Sequence, residues 1–190
     1  MPRTYVKAKR ADNQAETRLR IVEAAMELHS EIGPAATTIS MIADRAGVQR
    51  HTIYSHFPDD RSLLMACSGL HIEQQPPPSP ADWQTIEDTA LRLTAGITAL
   101  HAWFARNEAM IGNVLSDAEH NTLLRQISDL RFGTPIGAIY ASLSTGLGKH
   151  GEAALGLAIS FYTWRTLKRG GAKPKDAVAL MVKAVLNADG

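Results

Sequence analysis

The sequence predicts an all-α protein: an N-terminal three-helix unit followed by a longer helical domain. Three observations predict it. Apolar residues recur at spacings of three and four along most of the chain, and proline and glycine fall mainly between those periodic stretches. No run alternates apolar with polar residues as a half-buried strand would.

The elements follow in order. The first helix is predicted from about Gln14 to Ile32, with Asn13 and Glu16 as a capping box and Ile21, Ala25, Leu28 and Ile32 as its apolar stripe. Gly33 and Pro34 stop it. The second runs from Ile39 to Ala46, with Thr38 as N-cap and Gly47 as a left-handed C-terminal residue. The third is short, Arg50 to His56, and Pro58 ends it. Asp59 caps a fourth that reaches Gln75, where Pro76-Pro77-Pro78-Ser79-Pro80 forbids continuation. Beyond that stiff connection, helices are predicted over Trp83–Ala105, Glu108–Glu119, Thr122–Leu147 (broken or bent near Gly133-Thr134-Pro135), Glu152–Lys168 and Pro174–Asn187. Pro174 and Asp176 suit the first turn of the last one.

Composition excludes several classes. Hydrophobic residues make up 45% and charged residues 21%, which is ordinary for a globular chain. No apolar run approaches the ~18 residues of a spanning helix, so no membrane partner is expected. Bases near the N-terminus lack the apolar stretch of a secretory signal. Cys67 has no second cysteine to pair with, and a cytoplasmic location is expected. The net charge of +1 alone argues against a nucleic-acid partner. Yet the first twenty residues carry Arg3, Lys7, Lys9, Arg10, Arg18 and Arg20 against Asp12 and Glu16. A basic arm of that kind suits a phosphate backbone, and a solvated tail would look the same.

Residues 37–57 carry the most specific pattern. Ile39 and Ile42 give the second helix an apolar face, and Ala43 is small enough for a close crossing. Gly47 supplies the positive φ of a tight turn, and Val48 plugs the space between helices. Ile53 and Phe57 hold the third helix inward. What remains outward is Arg50, His51, Thr52, Tyr54, Ser55 and His56, all donors or acceptors suited to a major groove. This is a helix-turn-helix.

From Arg18 to Leu64 the sequence resembles the DNA-binding region of the TetR (tetracycline repressor) family. The residues that carry the resemblance are Ile21, Ala24-Ala25, Gly33, Thr38, Ile42-Ala43, Ala46-Gly47-Val48, Thr52-Ile53-Tyr54, His56-Phe57 and Leu63-Leu64. It implies phosphate contacts for Thr38 and Tyr54, backbone or base contacts for Thr52 and His56, and base-edge contacts for Arg50 and His51. Ser40, Gln49 and Ser55 complete the candidate set. Three positions depart from the family pattern. Gln49 stands where serine is common, His51 where glycine is frequent, and Asp60 where lysine often meets phosphate. The Asp60 contact is therefore in doubt, with Arg61 as a substitute; Asp59 and Asp60 are equally accounted for as helix-dipole partners.

The resemblance further implies a homodimer on a near-palindromic double-stranded DNA operator, residues 1–58 binding DNA and residues 59–190 forming a helical ligand-binding and dimerisation domain. The function implied is a transcriptional regulator, a repressor released by a small-molecule effector of unknown identity. The candidate effector residues are Trp103, Phe104, Met110, His120, Tyr140, Phe161 and Trp164, with His101 a further polar anchor; taken singly, each large apolar group reads first as core or dimer interface. The last two helices, with a stripe of Ala177, Leu180, Met181, Ala184 and Val185, would pair with their copies as a four-helix bundle.

Other motifs lead nowhere. Gly146-Leu-Gly148-Lys-His-Gly151 spells a dinucleotide fingerprint but follows a predicted helix and has no acid at the required distance. The histidines lack metal-ligand spacing, no serine-nucleophile elbow exists, and no cofactor is expected. The two rival readings are a regulator answering to a protein partner and, more remotely, a helical enzyme using Asp117, Glu119 or His120.

Overall fold

A computed structural model describes the backbone of residues 3–188 and the side chains of residue 9 and residues 11–188. The described residues form ten α-helices and no strand: α1 Arg3–Ile32, α2 Ile39–Ala46, α3 Arg50–His56, α4 Asp60–Gln74, α5 Thr89–Arg106, α6 Glu108–Ala118, α7 Thr122–Ser144, α8 Lys149–Ala158, α9 Phe161–Arg169 and α10 Pro174–Leu186. They divide into two compact units. The first comprises the chain up to Gln75 together with Gly112–Asp129; the second comprises Pro76–Ile111 and the chain from Leu130 onward. The division falls within α6 and α7.

In the first unit, α2 and α4 pack on α1, and α3 on α2. The core is Ile21, Val22, Ala25 and Leu28 of α1, Ile42, Ala43 and Ala46 of α2, Ile53 and Phe57 around α3, and Leu63 and Cys67 of α4. Two expectations for α1 are corrected. It begins at Arg3 rather than near Gln14, so Asn13 and Glu16 lie inside the helix and form no capping box. No proline or glycine occurs from Arg3 to Asn13, and alanine, lysine and arginine there favour helix. The stretch read as an arm is thus helical backbone; the side chains of Arg3, Lys7 and Arg10 lie outside the described residues. Ile32, placed on the buried stripe, is 43% exposed because it is the helix's last residue.

The second helix matches its sequence signals in detail. The Thr38 side chain accepts from the Met41 N–H, and Gly47 adopts φ 64° and ψ 38°. Val48 N–H donates to Ala43 O at 3.0 Å and Gly47 N–H to Asp44 O at 3.3 Å, the paired bonds of a Schellman end. At α4 the Asp59 carboxylate accepts from Ser62 N–H at 2.7 Å, closing a capping box that holds its pKa below the usual carboxylate value. The Cys67 thiol is buried, donates to Val22 O at 3.8 Å, and is pushed up to about 12 by burial, which makes it an inert core group.

In the second unit α10 packs on α8 and α5, and α9 on α5. Three predicted elements differ here. α5 starts at Thr89, not Trp83, with the Asp88 side chain accepting from Leu91 N–H at 2.8 Å. Trp83 is instead buried (1% exposed). It rests against Gly96, where an added Cβ would come within 3.1 Å of its ring. α7 runs unbroken through Pro135, because one missing N–H is tolerated where fully buried Ile139 and Leu143 hold the turns that follow. The helix predicted over Glu152–Lys168 is two helices, parted at Ile159 and Ser160. Ser160 takes an extended conformation, and the buried His101 ring nitrogen Nε2 lies 3.0 Å from Ala158 O, a carbonyl near the end of α8. On α10 the buried stripe is Ala177, Val178, Val182 and Val185, while Leu180 is 51% exposed and Ala184 is also exposed.

Candidate nucleic-acid interface

The short helix α3 cannot hold itself. It has seven residues, fewer than an isolated helix needs, and Gln49 gives it no side-chain cap, as its departure from serine predicts. Its position is imposed by packing. Ile53 is fully buried and Phe57 2% exposed. The Arg18 guanidinium sits 4.7 Å from the Phe57 ring centroid, bracing the residue that ends α3 from α1. Arg20 of α1 donates to Ala46 O at 3.4 Å, near the turn.

With Ile53 turned inward, the polar residues of α3 face solvent. Gln49, Arg50, His51, Tyr54 and Ser55 are exposed, Tyr54 at 56%. Thr52 and His56 are half-buried, as is Ser40 on α2; Thr38 is exposed at the start of α2. Not every member has a free hydroxyl: Ser55 Oγ already donates to Thr52 O at 2.7 Å. Arg50 offers a forked donor, His51 a ring nitrogen and Tyr54 a phenol, the groups that read base edges and phosphates. Arg45 points elsewhere, to Glu27 at 3.0 Å and Glu31 at 2.8 Å, and ties α2 to α1.

The turn into this motif has partners that sequence reasoning missed. Asn113 and Asp117 of α6 bond to the end of α1 and to the loop after it, through contacts spanning more than eighty residues. No local pattern could have shown them. The residues of the rival acid/base cluster lie at this helix end. Asp117 accepts from the Ala35 N–H at 2.7 Å, and His120 is exposed in the turn that follows α6. His29, buried nearby, is lowered to about 4 by burial, with Asp117 opposing the shift.

In the second unit four of the candidate effector residues come together. Phe104 lies 5.7 Å from Trp103, 5.5 Å edge-on from Phe161 and 5.8 Å from Trp164. Phe132, not singled out in the sequence, extends the cluster at 5.9 Å from Trp103. All four predicted aromatics are at most 6% exposed. Met110 is half-buried, and Tyr140 donates weakly to Glu152 O at 3.4 Å. His101 is buried and shifted down by desolvation. His120 belongs to the first unit and is not part of this group. The glycine fingerprint follows α7, and its last glycine lies inside α8, so it is a helix–helix connection.

Comparison with known proteins bears on this motif directly. The sequence family described as bacterial regulatory proteins of the tetR family matches residues 21–67. An uncharacterised HTH-type transcriptional regulator of Mycobacterium tuberculosis is 28% identical over 137 residues, covering 72% of this chain and 68% of its own. A counterpart in Mycobacterium bovis matches to the same extent. Among solved structures, a linker-substituted mutant of HlyIIR shares the fold with a TM-score of 0.68 at 15% identity, covering 92% of this chain and 99% of that one. The transcriptional regulator FadR of Bacillus subtilis, solved with stearoyl-CoA, has a TM-score of 0.58 at 21% identity over 88% and 95% of the chains. A TetR transcription regulator of Haloarcula marismortui has a TM-score of 0.58 at 17% identity over 92% and 97%.

Proposed function

We propose, on the premise that this chain is a TetR-family helix-turn-helix transcriptional regulator, that it is a repressor that leaves its operator when a small molecule binds. The observation that carries the reading is α3: a short helix pinned by Ile53 and Phe57 that offers Arg50, His51 and Tyr54 to solvent. Residues 1–58 are assigned to DNA and residues 59–190 to sensing and dimerisation. On this assignment Thr38 and Tyr54 meet the backbone, Thr52 and His56 the backbone or bases, with Ser40, Gln49 and Ser55 beside them, while Arg50 and His51 meet base edges.

A small-molecule effector is supported by the Bacillus subtilis regulator of the same fold, which was solved with an acyl-CoA. Trp103, Phe104, Phe161 and Trp164, packed on one another in the second unit, are the apolar residues from which we propose its site is drawn. Homodimerisation is supported by exposed apolar side chains on two helices that pack together, Leu157 of α8 at 65% and Leu180 of α10 at 51%. Two copies would address a near-palindromic site through successive grooves. No helix among the described residues is long and apolar enough to cross a membrane.

Footprinting of the DNA upstream of the gene tests this. The expected result is one protected near-palindrome, released by at least one member of an organic-compound library that also raises the protein's melting temperature. Protection that survives every stabilising compound would transfer control to a protein partner. An absence of any protected site at micromolar protein would defeat the reading.

A further inference from the structure

The end of α1 is held by polar bonds from a distant part of the chain. A helix leaves its last four carbonyls without intrahelical donors. Here Asn113 Nδ2 donates to Ser30 O at 2.9 Å and, at 3.1 Å, to His29 O, which also accepts from the Gly33 N–H. The loop that follows is fixed next: Ala35 N–H donates to Asp117 Oδ2 at 2.7 Å. Asn113 and Asp117 are four residues apart in α6 and therefore share one face. Gly33 lies beneath them with φ +89°, and an added Cβ would stand 2.8 Å from Asp117 Oδ2 and 3.5 Å from Asn113 Cβ. The loop then closes on itself, Thr37 Oγ1 donating to Gly33 O at 2.8 Å, before Thr38 caps α2.

We propose that Asn113 and Asp117 are positioning residues for DNA recognition, which fix from α6 the end of α1 and the loop that sets the entry of α2. The inference rests on the reading of residues 38–57 as the DNA-binding motif. Neither residue belongs to the apolar core that stabilises the unit. Neither is among the outward-facing groups of α3. Their bonds are directional and act on the backbone just before the motif, so their loss changes where α2 and α3 are carried more than whether they fold.

The test compares Asp117→Leu, Asn113→Ala and Asp117→Asn in the full chain, reading affinity for the footprinted operator, thermal melting, and hydrogen exchange at the Ala35 amide. Asp117→Leu and Asn113→Ala are expected to bind about tenfold more weakly, a coupling of ordinary size, with melting little changed. Exchange at Ala35 rises in Asp117→Leu. Asp117→Asn keeps an acceptor for the Ala35 N–H and restores both affinity and protection. Wild-type affinity in Asp117→Leu and Asn113→Ala overturns the proposal, as does an Asp117→Asn variant as weak as Asp117→Leu. Should Asp117→Leu fail to fold, Asn113→Ala and Asp117→Asn decide it alone. A wild-type chain that binds no operator defeats the functional reading itself, a result distinct from unchanged variants of a wild type that binds.

Discussion

At position 29 a histidine lies 6% exposed near the end of α1, and burial lowers its pKa from 6.5 to about 4. The folded state therefore binds this proton less readily than the unfolded chain. Stability from this group is fully present above pH 6.5 and is lost as pH falls toward 4, by up to about 3 kcal/mol. Denaturation measured across that range should show the loss in the wild type, and His29→Gln should flatten it; a parallel slope in both would assign the effect elsewhere. On the exposed side of the motif the expectation is opposite in kind. Arg50→Ala should relax base preference at one operator position by about 1–3 kcal/mol and leave melting unchanged. Tyr54→Ala should weaken all DNA sequences alike, as loss of a phosphate contact does. Binding measured against a panel of single-base operator variants separates the two.

Elements differ in how far they could be read from the sequence. α2 was legible to the residue because local chemistry sets both ends, Thr38 at one and Gly47 at the other. Gly47 has open space around its Cα, so Gly47→Ala should cost only the left-handed backbone strain, about 1–2 kcal/mol, in a chemical melt. Ile53→Ala should cost about 2–5 kcal/mol and weaken DNA binding with it, since Ile53 is the one fully buried side chain within α3 and Phe57 anchors only its end. Retention of full affinity by that variant would mean α3 is held some other way. Where tertiary packing overrides local pattern, the sequence misled. Trp83 stands in a stretch whose pattern reads as helix, but it closes a 3-10 turn over Pro80–Asp82 and is drawn into the core beside Gly96, and α5 starts six residues later than predicted. Ser160 lies within a helical periodicity, and only the structure shows the break beside His101. Asn113 and Asp117 gave no signal, because their partners lie more than eighty residues away.

At the scale of the molecule the proposed active species has two copies, and the apolar surface left on α8 and α10 is the proposed reason. Leu157→Glu with Leu180→Glu should yield a monomer in light scattering and lose tight operator binding while keeping the helical content of the wild type. A double variant that remains a dimer would place the interface elsewhere. The central claim is that α3 reads DNA, and an anisotropy titration of wild type and the Arg50→Ala, Tyr54→Ala double variant against the upstream sequence tests it most directly. Repeating it at several salt concentrations gives a slope of about −0.9 per phosphate neutralised. The expected result is tight, sequence-dependent wild-type binding that falls with salt, and a double variant reduced to its level on unrelated DNA. Equal affinity of both proteins for the upstream sequence, or equal affinity of the wild type for upstream and unrelated DNA, would contradict it.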